Sequence, residues 1–144
     1  MSSMKSIYIP AHVVDGTLRS SPKQGKHSLE PLASLAKRHG LPFSILEESD
    51  VLNDAEVHKT EGDLWQCLDG EVTFICGGEL LSPKFRKNPD GWNNKNELFS
   101  KKIKGGSTFV LKKGDWLWIP VGEPHQHSAR GTARLIIIKI PKSF

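Results

Sequence analysis

The sequence predicts a single all-β domain, built as a sandwich or barrel of short strands. The chain has 144 residues, which is enough for one domain with a buried core and too few for two. After residue 43, short segments of alternating apolar and polar residues are separated by turns. Several strands at this spacing are typical of sandwiches and barrels. We expect an N-terminal region at residues 1–43 and the β-barrel at residues 44–144, within one domain.

The N-terminal region is predicted to contain a strand and a loop. Residues 6–14 have the composition of a strand, and Pro10 places that strand at a sheet edge because proline has no N–H to donate to a central ladder. Residues 15–27 are rich in glycine, serine and lysine, and we expect a loop there.

One helix is predicted, and it follows this loop. Ser28 is a candidate N-cap, and Gly40 ends the helix, with Pro42 preventing its resumption. The apolar face of the helix consists of Leu29, Leu32, Leu35 and Ala36.

The remainder is predicted as seven strands and one long loop. The strands are Phe43–Glu47, Glu56–Lys59, Asp63–Leu68, Glu71–Cys76, Ser107–Leu111, Asp115–Ile119 and Ala133–Ile140. The insertion Leu81–Gly106 is predicted as a loop, and loops of this length often cover a site.

Two segments combine strands and glycine turns with side chains that can bind metals. In the later segment Gly114 is followed by five residues, a proline, one residue, Gly122, two residues and His125. In the earlier segment His58 is followed by Asp63, and Gly70 comes after six further residues. We expect the glycines to form turns that need positive φ or close backbone approach.

These segments resemble the two sequence motifs of the cupin superfamily. The first cupin motif normally opens with two histidines spaced HxH; here Glu56 stands at the first position and His58 at the second. The resemblance covers roughly residues 44–140. It implies a jelly-roll β-barrel with a divalent metal inside it, and a homodimer.

The resemblance further implies that His58, Asp63 and His125 converge as metal ligands. Two imidazoles and one carboxylate suit Fe(II) and are also acceptable to Mn, Ni, Co or Zn. Glu56 shares a strand face with His58, so it is a fourth ligand, a base beside the metal, or a residue pointing away. His127 shares a face with His125 and lies ~6.5–7 Å further along the strand. We therefore interpret His127 as a proton carrier; the alternatives are an extra ligand and a residue that supports the ligands.

Other side chains are given structural roles. Trp65, Trp116 and Trp118 are expected to pack in the barrel wall, and the alternative is that they stack on a substrate. Cys67 and Cys76 are expected to be two buried thiols in a reducing cytoplasm, although they could also face each other across a hairpin.

The net charge of +4 is concentrated in one stretch. We interpret this stretch as a solvated loop and not as a nucleic-acid surface, since no DNA- or RNA-binding motif accompanies it. A further interpretation is that one or two of these cations overhang the pocket and attract an anionic substrate. The residues are Lys84, Arg86, Lys87, Lys95, Lys101, Lys102, Lys104, Lys112 and Lys113.

We expect a cytoplasmic protein that binds no membrane, because the sequence shows neither a long apolar span nor a secretory signal. The favoured function is that of a metal-dependent enzyme of isomerase, lyase or dioxygenase type. Its substrate would be a small polar molecule with a carbonyl or carboxylate group. The alternative is a cupin that binds a small ligand without turnover.

Overall fold

The computed structural model describes residues 5–142. Within this range the chain forms two short helices and twelve strands. The helices are α1 (Ala11–Thr17) and α2 (Leu32–Arg38). The strands are β1 (Gly25–Ser28), β2 (Phe43–Leu52), β3 (Ala55–His58), β4 (Glu61–Asp69), β5 (Glu71–Cys76), β6 (Glu79–Leu80), β7 (Lys84–Lys87), β8 (Asn93–Ser100), β9 (Ile103–Lys104), β10 (Ser107–Lys112), β11 (Trp116–Ile119) and β12 (His125–Pro141). The prediction of an all-β fold is confirmed. The outermost residues of the two predicted regions, 1–4 and 143–144, lie outside the described residues.

The long strand β12 organises the β-structure. Its first residues pair with β5 and, at His125, with β3. From Ser128 onwards it pairs with β2, with an irregularity in register between Ala129 and Thr132, and from Arg134 onwards it also pairs with β4. All these pairings are antiparallel. One strand therefore connects β3 and β4, which carry the predicted site residues, with β2 and β5.

The core lies between these strands. Phe74, Cys67 and Leu135 are completely buried in its main cluster, beside Trp65. Trp116 and Trp118 are about half exposed, at 54% and 49%, so the expectation that they pack inside the wall is wrong. Both lie on β11, which pairs with β4 along one edge and with no other strand among the described residues.

Two smaller sequence predictions agree with the core. Cys67 and Cys76 are buried free thiols, as expected. The turn at Gly70 has a φ of +73°, and a Cβ there would lie 2.1 Å from the carbonyl oxygen of Thr132. A side chain at Gly70 would therefore collide with β12, which explains the glycine of the first motif.

The N-terminal region differs from the prediction in two elements. Residues 11–17 form helix α1, although residues 6–14 were expected to be an edge strand. The helix forms because Val13 and Val14 pack with Ile9 and Leu18 onto the cluster around Leu32. Tertiary contact thus outweighs the strand preference of the β-branched residues.

The expected loop and helix cap are also corrected. Strand β1 occupies the end of the predicted loop at residues 15–27 and pairs with β2. Ser28 belongs to this strand, so it does not cap α2, which begins after Pro31 without a side-chain cap. No helix in the described residues is long and apolar enough to cross a membrane.

The insertion Leu81–Gly106 is a β-hairpin and not a loop. Strands β7 and β8 pair with each other, and β8 also pairs with β3. This second pairing adds the hairpin to the sheet that carries Glu56 and His58. The insertion therefore contributes its own side chains to the candidate site.

Candidate metal centre

Strands β3, β4 and β12 bring the predicted site residues together. Glu56 is the register partner of His125, so the two side chains share a face of the sheet. Possible ligand atoms of Glu56, His58 and His125 lie within 4.8 Å of one another. The Oδ2 atom of Asp63 is 3.3 Å from His58 Nε2 and 3.6 Å from His125 Nε2. All four residues therefore face one small volume.

His125 is buried and oriented by the backbone. Its Nδ1 lies 3.1 Å from the carbonyl oxygen of Glu123, which can only accept, so Nδ1 carries the proton. Nε2 is then left with a free lone pair directed towards Asp63. Burial lowers the pKa of His125, which favours the neutral imidazole that a metal requires.

His58 is held by carboxylates on both sides. Its Nδ1 is 2.5 Å from Oε2 of Glu97 on β8, and its Nε2 is 3.5 Å from Oε2 of Glu56. Burial lowers the pKa of His58, but the contacts with Asp63 and Glu97 outweigh burial and raise it to about 8. Without a metal, His58 is therefore largely protonated at neutral pH and balances the surrounding negative charge.

Asp63 offers a buried oxygen with no hydrogen bond. Its Oδ1 accepts a hydrogen bond of 2.7 Å from Nζ of Lys139. Its Oδ2 receives no hydrogen bond from the described residues, since its contacts with the two imidazoles lack hydrogen-bond geometry. Burial raises the pKa of Asp63, but His58 and Lys139 outweigh it and hold the pKa below its usual value. An ionised, unpartnered oxygen beside two Nε2 atoms fits a metal ligand.

Glu56 has a different partner for each oxygen. Nη2 of Arg86 donates to Oε1 at 2.6 Å, while Oε2 faces His58. Burial raises the pKa of Glu56, but His58 and Arg86 outweigh it and keep the carboxylate ionised. Glu56 therefore points into the site and not away from it.

His127 is buried against two aromatic rings. Its ring stacks on Phe74 at 5.0 Å between centroids and is tilted against Trp65 at 4.9 Å. Its Nδ1 is 3.0 Å from Oε2 of Glu48, which is completely buried. Because an ionised carboxylate only accepts, this contact assigns the proton to Nδ1 and leaves Nε2 as the basic atom. Asn53 donates to Glu48 and to the backbone oxygen of His127.

Arg86 was named in the sequence only among the cations of which one or two could overhang the pocket. Three residues of this site were not identified from the sequence: Glu48, Glu97 and Lys139. Only Glu48 left a usable signal. Glu47 and Glu48 are adjacent in a strand, so their side chains point to opposite faces and one of them must enter the barrel. The contacts of Arg86 and Glu97 depend on the hairpin, which the sequence pattern did not reveal.

Sequence comparison finds no matching family model and no matching curated protein. Solved structures do match in fold. Hydroquinone 1,2-dioxygenase from Sphingomonas sp. TTNP3, with 4-hydroxybenzoate bound, is 11% identical, and the match covers 89% of this chain and 71% of that chain with a TM-score of 0.51. The E. coli protein ycfD is 19% identical, with 80% of this chain and 31% of that chain covered and a TM-score of 0.51.

The EutQ protein of Clostridium difficile is 16% identical over a match covering 71% of this chain, with a TM-score of 0.45. The chain spans 57% of that protein and 63% of the EutQ protein of Salmonella typhimurium. The two matches with TM-scores above 0.5 are those that support the fold. Together with the strand order around β12, they show that the chain has the fold of the cupin superfamily.

Proposed function

We propose that the chain binds one divalent transition metal through His58, Asp63 and His125, with Glu56 as a fourth ligand. The observation that carries this proposal is the buried, unpartnered Oδ2 of Asp63 beside the Nε2 atoms of both histidines. Two imidazoles and two carboxylates suit Fe, Mn, Co, Ni or Zn.

The function that follows is that of a metal-dependent enzyme of isomerase, lyase or dioxygenase type. Its substrate would be a small polar molecule with a carbonyl or carboxylate group. A bound metal supplies Lewis acidity or a place for O₂. The chain itself supplies orientation, because each ligand side chain is fixed by a second contact. The contacts are Glu123 for His125, Glu97 for His58, Lys139 for Asp63 and Arg86 for Glu56.

His127 is our candidate for the group that moves a proton. Glu48 orients its ring through Nδ1, so Nε2 is free to accept a proton and return it. Burial raises the pKa of Glu48, but contacts with His127 and Asn53 outweigh it and keep the pKa below its usual value. The ionised Glu48 also stabilises the imidazolium that forms when His127 takes up a proton.

Metal analysis tests the ligand set. The wild-type protein, incubated with Fe(II), Mn, Co, Ni or Zn and desalted, should retain about one ion per chain by elemental analysis. The double variant His58→Ala, His125→Ala should retain almost none, while His12→Ala, which changes an exposed histidine, should match the wild type. A double variant that keeps stoichiometric metal would place the metal elsewhere.

The role of His127 is tested separately. His127→Ala should leave the metal content near that of the wild type and impair turnover of small carbonyl or carboxylate substrates. A metal loss equal to that of His125→Ala would make His127 a ligand. If the loaded wild-type protein binds such molecules without converting them, the non-catalytic alternative is correct.

A further inference from the structure

The hairpin β7–β8 extends the sheet face on which the metal centre lies. Phe99 is the register partner of Glu56, and Lys84 is in turn the partner of Phe99. Register partners share a face, so Phe99 and Lys84 continue the face that begins with Glu56 and His58. The hairpin therefore forms a wall immediately outside the candidate metal centre.

Arg86 connects this wall to the centre. Its Nη2 donates to Glu56, and its guanidinium carbon lies 4.4 Å from the centroid of the Phe99 ring. Its Nη1 is 3.9 Å from Oδ2 of Asp54, beyond hydrogen-bond distance. The side chain is 40% exposed, so part of the guanidinium fork remains available to a ligand. The stacking on Phe99 holds the fork in a fixed plane.

A cavity of about 600 Å³ opens beside this arginine. Its volume is within the range of small-molecule sites, about 300–1,000 Å³. Its lining combines three cations, two aromatic rings and one amide, and it includes no carboxylate. The lining residues are Lys84, Phe85, Arg86, Lys87, Asn93 and Phe99. A molecule that fits this lining carries negative charge and an apolar or aromatic body.

We propose that this cavity binds a small organic carboxylate, with its anionic group on Arg86 and its apolar part against Phe85 and Phe99. The planar guanidinium matches a carboxylate with two parallel hydrogen bonds. This proposal rests on the proposed function in one respect, since it makes the carboxylate the substrate class of the adjacent metal centre. Arg86 holds Oε1 of Glu56 with one nitrogen and directs another towards the ligand, which places the bound molecule next to the centre.

The test uses benzoate as the probe, with benzamide as a neutral molecule of the same shape and inorganic phosphate as a second anion. Binding is measured by calorimetry and by NMR titration on the metal-free protein in EDTA. Benzoate should bind about tenfold or more tightly than benzamide, and Arg86→Gln should remove this difference. Arg86→Lys should keep only part of it, because lysine keeps the charge but lacks the fork. Arg130→Gln, which changes an exposed arginine on β12, should bind like the wild type.

Three results would overturn the proposal: equal binding of benzoate and benzamide, unchanged benzoate affinity in Arg86→Gln, or phosphate binding in preference to benzoate. Circular dichroism of each variant shows that loss of binding is not loss of folding. Because the titration is done without metal, its outcome is independent of the metal analysis. A wild-type protein that binds no metal would refute the proposed function, while Arg86-dependent benzoate binding would still be measured.

Discussion

Arg134 connects the N-terminal region to the barrel, and its replacement tests whether the two unfold as one unit. Its Nε donates to Oε1 of Glu47 at 2.9 Å, and its remaining nitrogens donate to the carbonyl oxygens of Leu18 and Ser20. Glu47 in turn lies 2.9 Å from Nε2 of His27. Glu47 is completely buried and Arg134 is 4% exposed. The variant Arg134→Met leaves two backbone oxygens without this donor and removes the arginine paired with the buried charge of Glu47, which keeps only its contacts with the backbone N–H of Lys23 and with His27.

The expected loss of stability follows from this burial. Removing one partner of a buried ion pair costs about 3–5 kcal/mol. The entropy of unfolding is ~2.1 cal/mol/K per residue, which for a chain of 144 residues gives ~0.3 kcal/mol/K. Dividing the loss of free energy by the entropy of unfolding, we expect the melting temperature of Arg134→Met to fall by about 10–17 °C.

Differential scanning calorimetry measures this shift and shows the number of transitions. The matched control is Arg130→Met, four residues earlier on the same strand but exposed, which should change the free energy of unfolding by less than about 0.5 kcal/mol. The double variant Glu47→Leu, Arg134→Met should lose less than the sum of the single losses, because it leaves no unpaired charge. The reasoning would be refuted if the melting temperature of Arg134→Met fell by less than about 3 °C, or if the wild type unfolded in separate transitions.

Three further predictions concern ionisable groups at the site. Metal affinity, measured by chelator competition, should fall about tenfold per unit as the pH drops below 8, because His58 with a pKa of about 8 must lose its proton to bind. Glu97→Ala should weaken metal binding about 10–100-fold by releasing the His58 ring, while Glu79→Ala, at an exposed strand residue, should leave metal binding unchanged. The pKa of Glu48 is lowered from 4.5 on folding, so its stabilising contribution is present above about pH 4.5 and lost as the pH falls through the folded value. Glu48→Gln should therefore destabilise the protein at pH 7 in urea unfolding and flatten the loss of stability at lower pH; equal pH profiles would contradict this.

The strands of the barrel were predictable because each one carries its own pattern. The predicted bounds of β5, Glu71–Cys76, are those of the structure, since alternating residues between two turns define a strand locally. The sequence motifs also selected residues that the fold brings together, namely Glu56, His58, Asp63 and His125. Whether these residues bind a metal stays a prediction.

The hairpin and the first helix were not predictable in the same way. Strand β8 begins Asn-Asn-Lys-Asn, which has no apolar alternation. This part pairs with β7, and the later residues 97–100 join the sheet by pairing with β3. Residues 11–14 contain two valines and were expected in a strand, but they form the start of helix α1, which packs onto the cluster around Leu32. In both cases the deciding interaction joins distant parts of the chain, and local sequence does not record it.

The same limitation applies within the site, at the level of single atoms. A strand pattern gives the face on which a carboxylate lies, but not the oxygen that it presents. In the structure each of the two carboxylates proposed as ligands has one oxygen paired with a cation, Glu56 with Arg86 and Asp63 with Lys139. The other oxygen of each then faces the imidazoles. Arg86 and Lys139 thus fix the orientation of the carboxylates and offset their charge, so the two acidic groups can stay ionised close together before a metal arrives.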